Sequence, residues 1–400
     1  MLTLAFLTAF TLHLLLFSYA PLVSWIMSEM GLSHAQGGFI FSVCILTLII
    51  LRIPWGLLSD YLGLVTTTKI ATAFIGVFGL LRGFAVNYET LLISQLLLGV
   101  GFAAVLPCLS KLVNMWFKEK AGLTTGVYAA GFPIGDMVAL SLTPFILALL
   151  FYSWRNVFYI YGIVGLILTA LWWTAAREPI RKKDQGLTHR MSLGASLKRE
   201  VASVVRVKEV WILTGLCIAS MGCYDTIVWW LPSMLESRGV PFEVAGLMTS
   251  MLPLGFLVAS LSIGALSDFV GLRKPFICIL GLVSGPSILA ITTFSDSPLW
   301  IAIFLAGFST TGILTLVLAI PTELPELTQL VASAVGLVSS LGNIGPFLLP
   351  IATGYIKDIT GYFSLAMIML AVVAETTLIL GLAMRETGRK LARQNFSNQR

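Results

Sequence analysis

The chain has 400 residues, of which 57% are hydrophobic and only 11% charged, with a mean hydropathy of +0.93. A water-soluble domain of that composition would expose apolar patches far larger than soluble monomers carry, so the sequence is that of an integral membrane protein. The formal net charge of +6 implies no nucleic-acid partner, because its Lys and Arg gather in short connections where they meet anionic lipid headgroups of the bilayer.

Between those connections lie twelve apolar runs of roughly 20 residues, the length an α-helix needs to cross hydrocarbon. In chain order they are 3–28, 37–58, 68–86, 90–112, 122–150, 155–176, 209–234, 243–266, 274–294, 298–320, 330–356 and 362–384. Runs of this length predict helices and not a barrel. The expected fold class is therefore an all-α integral membrane protein with 12 transmembrane helices. The first run begins at "MLTLAF" with no basic stretch or small-residue cleavage site near it, so it reads as a retained helix, and no soluble N-terminal domain is expected.

A polar connection divides the chain into 1–176, a basic linker 177–208, a second set 209–384 and a basic tail 385–400. Twelve crossings put both termini on one face. The connections on that face carry 20 Lys and Arg, against three (Arg155, Arg238, Lys357) on the other. By the positive-inside rule both termini are expected in the cytoplasm, with a cell (inner) membrane as the host. Cys44, Cys108, Cys217, Cys223 and Cys278 all fall within apolar runs and read as free thiols; none has metal-ligand spacing. No phosphate-binding Gly-Lys-Ser/Thr loop, nucleophile elbow or zinc motif occurs, so no enzyme activity and no cofactor are expected.

The stretch "GALSDFVGLRKPF" (264–276) repeats an earlier one, "GLLSDYLGLVTTTK" (56–69), in the pattern Gly-x3-Asp-x2-Gly. Gly56, Asp60 and Gly63 are answered by Gly264, Asp268 and Gly271, 208 residues on. Pro21 and Pro232, and Gly126 and Gly336, recur at offsets of 211 and 210. A long offset repeated from separate regions marks an internal duplication, here of six helices and six helices.

With the doubled loop, the duplicated halves and the Gly/Pro-rich fifth helix, the chain resembles the major facilitator superfamily (MFS) over essentially its whole length. "WRNVFYIYG" (154–162), "AREP" (176–179) and "DITGYFS" (358–364) agree with that resemblance. It implies two pseudo-symmetric six-helix bundles, with the first, fourth, seventh and tenth helices lining a central cavity. It also implies that the doubled loop clamps the halves together on the cytoplasmic side and releases as they rock. Arg273 and Lys274 supply the basic residues that complete the second copy, whereas the first has Leu64 and Val65 in their place. From the residues alone, each loop reads as a tight turn whose acid meets a helix dipole.

Ionisable groups inside apolar runs are costly and are expected to face a cavity or a partner. They are His13, Arg52, Arg82, Asp136, Asp225 and Glu375. Arg52 and Arg82 are near enough to helix ends to snorkel, and Arg52 is also a substrate candidate. Asp136 follows "AAGFPIG" at the midpoint of the fifth helix, either as a proton or substrate group or as a structural Asp bonded to Ser or Thr. That stretch resembles the fifth-helix glycine motif of exporters in the superfamily, with Phe132 before the proline and Asp136 in place of the last glycine. The duplication offset brings Asp225 opposite Leu14, beside His13, so those two are expected to approach across the pseudo-two-fold axis. Asp225, Asp136 and His13 are the proton-coupling candidates. Tyr19, Tyr224, Trp229 and Trp230 are candidates for contacting an organic solute, with an interfacial belt as the alternative for the tryptophans. Glu375 is expected to be peripheral, and Glu323 and Glu326 either join the gate or face solvent.

The expected function is a monomeric secondary active transporter of a small-molecule or small-ion substrate, coupled to a proton and working by alternating access. "LRIPWGLLSDYLG" and "GNIGPFLLPIATGYIKDITG" are similar to the nitrate, nitrite and cyanate group of the superfamily, which leans the substrate toward a small anion. A proton-driven exporter, a passive uniporter and a non-transporting receptor or scaffold are the alternatives.

Overall fold

The computed structural model describes residues 1–177, 202–328 and 330–388. Most of the linker 177–208 and of the tail 385–400 lies outside the described residues. Among the described residues, twelve helices are long and apolar enough to span a membrane. They are α1 (Leu2–Met30), α2 (His34–Leu62), α3 (Leu64–Phe84), α4 (Tyr88–Trp116), α5 (Gly122–Leu149), α6 (Trp154–Ala175), α7 (Lys208–Ser237), α8 (Phe242–Val270), α9 (Lys274–Thr293), α10 (Asp296–Thr322), α11 (Ser333–Thr360) and α12 (Ser364–Ala383). Both described ends lie on one face, the terminal face; the opposite one is the far face.

Four of these helices are bent, and the bends have one cause. They fall at Ser18, Ala130, Ser250 and Asn343, each three residues before a proline (Pro21, Pro133, Pro253, Pro346). Proline lacks the N–H that would bond back one turn, and its ring pushes on that carbonyl. The bend residues stay right-handed with ψ between −21° and −8°, so the chain tilts without unwinding.

The two six-helix halves meet mainly through their far ends. There Tyr19, Phe41, Trp229, Trp230 and Met248, drawn from both halves, belong to one continuous apolar core. Toward the terminal face the C-terminal half has a core of its own around Leu213, Leu216, Ile277 and Leu316. A small separate cluster around Trp55, Ala71 and Ala103 packs the corresponding part of the N-terminal half. The seam is thus sealed at one end and divided at the other. All five cysteines are free, as expected.

Candidate functional site

At the midpoint of the seam, α5 is pressed against α1. A Cβ at Gly135 would collide with the Phe10 carbonyl, so glycine there lets the backbones approach and carries the next side chain, Asp136, onto His13. His13 Nδ1 and Asp136 Oδ1 are 2.7 Å apart. Asp136 is fully buried, while His13 keeps 17% of its side chain exposed. The other carboxylate oxygen, Oδ2, accepts a 3.2 Å hydrogen bond from the Tyr224 hydroxyl of α7. Asp136 is therefore held by both halves. A carboxylate this deep is tolerated only with such partners, and the pair with His13 can hold and pass a proton between ring nitrogen and oxygen.

This corrects one expectation and sets aside one alternative: His13 meets Asp136 and not Asp225, and the partners of Asp136 are a histidine and a tyrosine in place of the Ser or Thr of the structural reading. Successive residues on a helix point about 100° apart, and on α7 it is Tyr224 that faces Asp136. Asp225 beside it is half-buried, near enough for its charge to act on Asp136.

Beyond this site, toward the far face, aromatic rings close the seam. Tyr19 stacks on Trp229 at 4.7 Å with planes 11° apart, and Trp229 also meets Phe41 at 4.5 Å. Trp230 donates its indole N–H to the Pro350 carbonyl (2.9 Å) and faces His34 and Phe363. Both tryptophans are buried, so neither forms an interfacial belt. The outermost link was not foreseen. Asp358 of α11 accepts from the backbone N–H groups of His34 and Ala35 (2.9 Å each) and lies 2.7 Å from His34 Nδ1. An acid of one half thus caps the positive N-terminal end of α2 in the other.

The remaining intramembrane charges divide. Arg52 does not snorkel outward: its Nε is buried without a partner, its side chain lies near Cys217 of α7 across the seam, and no carboxylate among the described residues pairs with it. Arg82 does not snorkel either. It is fully buried, lies 4.4 Å from the Phe158 ring and donates to the Leu15 carbonyl of α1 (2.8 Å), which makes it a brace inside the N-terminal half. Glu375 packs against Gly285 of α9 with Oε2 unpartnered, away from the site.

The duplicated motif is helical for most of its length. Gly56 and Asp60 belong to α2, and Gly264 and Asp268 to α8; only Gly63 (φ 93°) and Gly271 (φ 75°) make the turns. Each Asp occupies the last turn of its helix, the unfavourable end for a negative charge, and each is matched by a cation from its own half. Lys111 of α4 binds Asp60 through both oxygens (2.8 and 2.9 Å). Arg273 binds Asp268, Glu323 and Ser267. Burial pulls the Arg273 guanidinium down, but its bonds to Glu323 and Asp268 outweigh that and hold it above its ordinary value. Lys274 instead donates to the Leu382 carbonyl, and Glu326 pairs with Arg385. In this conformation, therefore, neither motif acid bonds across the seam among the described residues. Arg273→Gln should leave Glu323 with only the Thr387 hydroxyl and cost about 2–3 kcal/mol; a melting scan in detergent should show a midpoint about 3 °C lower.

Comparison with known proteins adds ancestry to this geometry. The sequence profile described as Major Facilitator Superfamily matches residues 5–245 and again 224–399. A D-galactonate transporter of Escherichia coli O6:H1 is 23% identical over 87% of this chain and 86% of its own length. A 3-(3-hydroxy-phenyl)propionate transporter of Escherichia coli K12 is 29% identical over 82% of this chain and 79% of its own. Among solved structures, a bacterial homolog to the human lysosomal transporter Spinster, in an inward-facing and unoccupied conformation, superposes with a TM-score of 0.75. It covers 96% of this chain and 95% of that one at 17% identity, a likeness of fold.

Proposed function

The chain belongs to the Major Facilitator Superfamily, and on that premise we propose that it is a proton-coupled carrier of a small organic acid, working by alternating access. One observation carries the reading: Asp136, paired with His13 and bonded across the seam to Tyr224, ties a proton-holding group to the relative position of the two halves. Rocking of 1–176 against 209–384 would make and break that bond, which is the linkage a coupled carrier needs. Asp225 completes the proton site.

Arg52 supplies the anion-binding charge, since its guanidinium has no carboxylate among the described residues to satisfy it. The matched relatives transport galactonate and a hydroxyphenylpropionate, both carboxylates, which supports an acid as the solute. Tyr19, Tyr224 and Trp229 would meet it as the far end opens, with Trp230 releasing from Pro350. The paired motifs, Gly56-Asp60-Gly63 and Gly264-Asp268-Gly271 with Arg273 and Lys274, form the gate at the terminal face. The basic excess of the terminal connections supports a cytoplasmic location for both ends, in a cell membrane, and the protein acts as a monomer.

The test is flux into proteoliposomes of a panel of labelled acids, neutral solutes and cations, with and without an inward proton gradient. An acid should accumulate only with the gradient. In Asp225→Asn accumulation should fall about tenfold while solute exchange persists, and Arg52→Gln should raise the half-saturating concentration about tenfold, a loss of ~1.4 kcal/mol. Uptake that ignores the gradient in every protein would make this a uniporter and sink the coupled reading.

A further inference from the structure

We propose that the solute is a monocarboxylate with an aryl body and not a polyhydroxylated sugar acid: its ring lies against Phe102, Phe132 and Phe256, and its carboxylate reaches Arg52. The proposal rests on the carrier reading above and narrows it.

The surroundings of the mid-depth site are aromatic. The His13 ring has Phe132 at 4.7 Å, Phe17 at 5.5 Å and Phe102 at 5.8 Å between centroids. Phe256 stands edge-on to Tyr224 at 5.5 Å. Phe17 is sealed in the core, but Phe102, Phe132 and Phe256 are each half-buried. They come from α4, α5 and α8, so rings with surface still to cover converge on one polar group from both halves. A bound ring gains from each offset or edge-on aromatic pair beyond the area it buries.

A sugar acid asks for the opposite. Each hydroxyl taken from water must find a donor or acceptor, and each left unpaired carries its full desolvation cost. Phenylalanine offers none. Polar groups that lack partners do exist in the bundle, among them Tyr19 Oη, the Gln95 amide and Trp229 Nε1. These residues are fully buried and are not the ring neighbours of His13. The placement of the cation fits an elongated acid. Cys217, beside Arg52, precedes Tyr224 by seven residues on α7, about 10 Å along the helix axis. Arg52 is thus offset along the pathway from the rings, leaving room for a short chain between an aryl group and its carboxylate.

The experiment is competition in wild-type proteoliposomes between labelled 3-phenylpropionate and D-galactonate, followed by Phe132→Ala and Phe132→Leu. Labelled 3-phenylpropionate should accumulate, and tenfold excess galactonate should leave its uptake unchanged. Phe132→Ala should raise KM for 3-phenylpropionate about tenfold with kcat held within about threefold, and the bulkier Leu should restore part of it. Transport of galactonate with no uptake of or inhibition by 3-phenylpropionate would overturn the aryl assignment while leaving the carrier reading intact. If 3-phenylpropionate is carried but neither Phe132 variant shifts its KM, the ring placement is wrong. If no acid is carried, both readings fall.

Discussion

Asp136→Asn should abolish gradient-driven accumulation while leaving a folded protein that still exchanges solute across the membrane. Asparagine fills the same space and keeps hydrogen bonds available to His13 and Tyr224, but it cannot take up or release a proton. The original carboxylate makes a 2.7 Å contact with His13 and accepts from Tyr224. A hydrogen bond to a charged group is worth about 1.5–3 kcal/mol and a neutral one about 0.5–1.5, so losing the charge costs about 1–1.5 kcal/mol per bond. The expected fall in net accumulation is about 100-fold, or ~2.7 kcal/mol at 1.36 kcal/mol per decade. Tyr224→Phe, which removes only the bond across the seam, should cost about tenfold. Flux with an imposed pH gradient, measured beside counterflow without one, separates coupling from binding. If Asp136→Asn keeps more than half of the accumulation and Asp225→Asn loses it, the proton role belongs to Asp225.

Gly38→Leu and Gly354→Leu should each block transport by preventing closure at the far face. A side chain at Gly38 would strike the Pro350 carbonyl, and one at Gly354 the carbonyl of His34. Both collisions are with backbone of the opposite half, which cannot turn aside as a flexible side chain would. They fall where α2 and α11 cross beneath the clasp of Asp358 on His34 and Ala35. Neither half is overpacked internally, so melting midpoints should stay within about 3 °C of wild type while uptake falls below about a hundredth. The conformational readout is a cysteine introduced at Trp229 and a membrane-impermeant thiol reagent applied from the far face. In this closed state residue 229 is buried, so labelling should be slow in the wild-type background and at least about tenfold faster with Gly38→Leu. Equal labelling in both backgrounds would show that these glycines do not set closure.

The helices were legible because bilayer thickness imposes a length on them, and all twelve apolar runs coincide with spans to within four residues at either end. Where ends differ, the helix commonly runs on past the apolar stretch, as α2 does from 37–58 to His34–Leu62, because backbone hydrogen bonding continues into the headgroup region after hydrophobicity stops. The four bends each precede a proline, but Pro54, Pro107, Pro232 and Pro286 lie inside helices that run on unbroken, so proline alone did not mark them. The pairing of His13 was not legible. A duplication offset gives depth along the membrane normal, and it put His13 and Asp225 at similar depth, while Asp136 was placed only by lying at the midpoint of its own run. It says nothing of how each helix is rotated about its own axis, and that rotation turned Tyr224 toward Asp136. Lys111 was visible only as one more basic residue on the terminal face. The capping of α2 by Asp358 joins residues 324 positions apart, and its one local signal was an acid close to a helix end. Arg82 misled for a related reason: nearness to a helix end suggested an exit to solvent, but the guanidinium found the Leu15 carbonyl and the Phe158 ring inside the bundle.

The two copies of the Gly-x3-Asp-x2-Gly pattern also record how a duplicated gene can drift. The acid has stayed in both, held at the end of a helix where it needs a countercharge. Its cation has not kept its address. In the later copy it follows five residues downstream, at Arg273, while in the earlier copy the same place in the loop is apolar and the ammonium arrives from another helix, 51 residues away, at Lys111. Inheritance here attaches to an electrostatic requirement and not to an aligned pair of positions, so either copy remained free to recruit a new donor provided one reached the carboxylate.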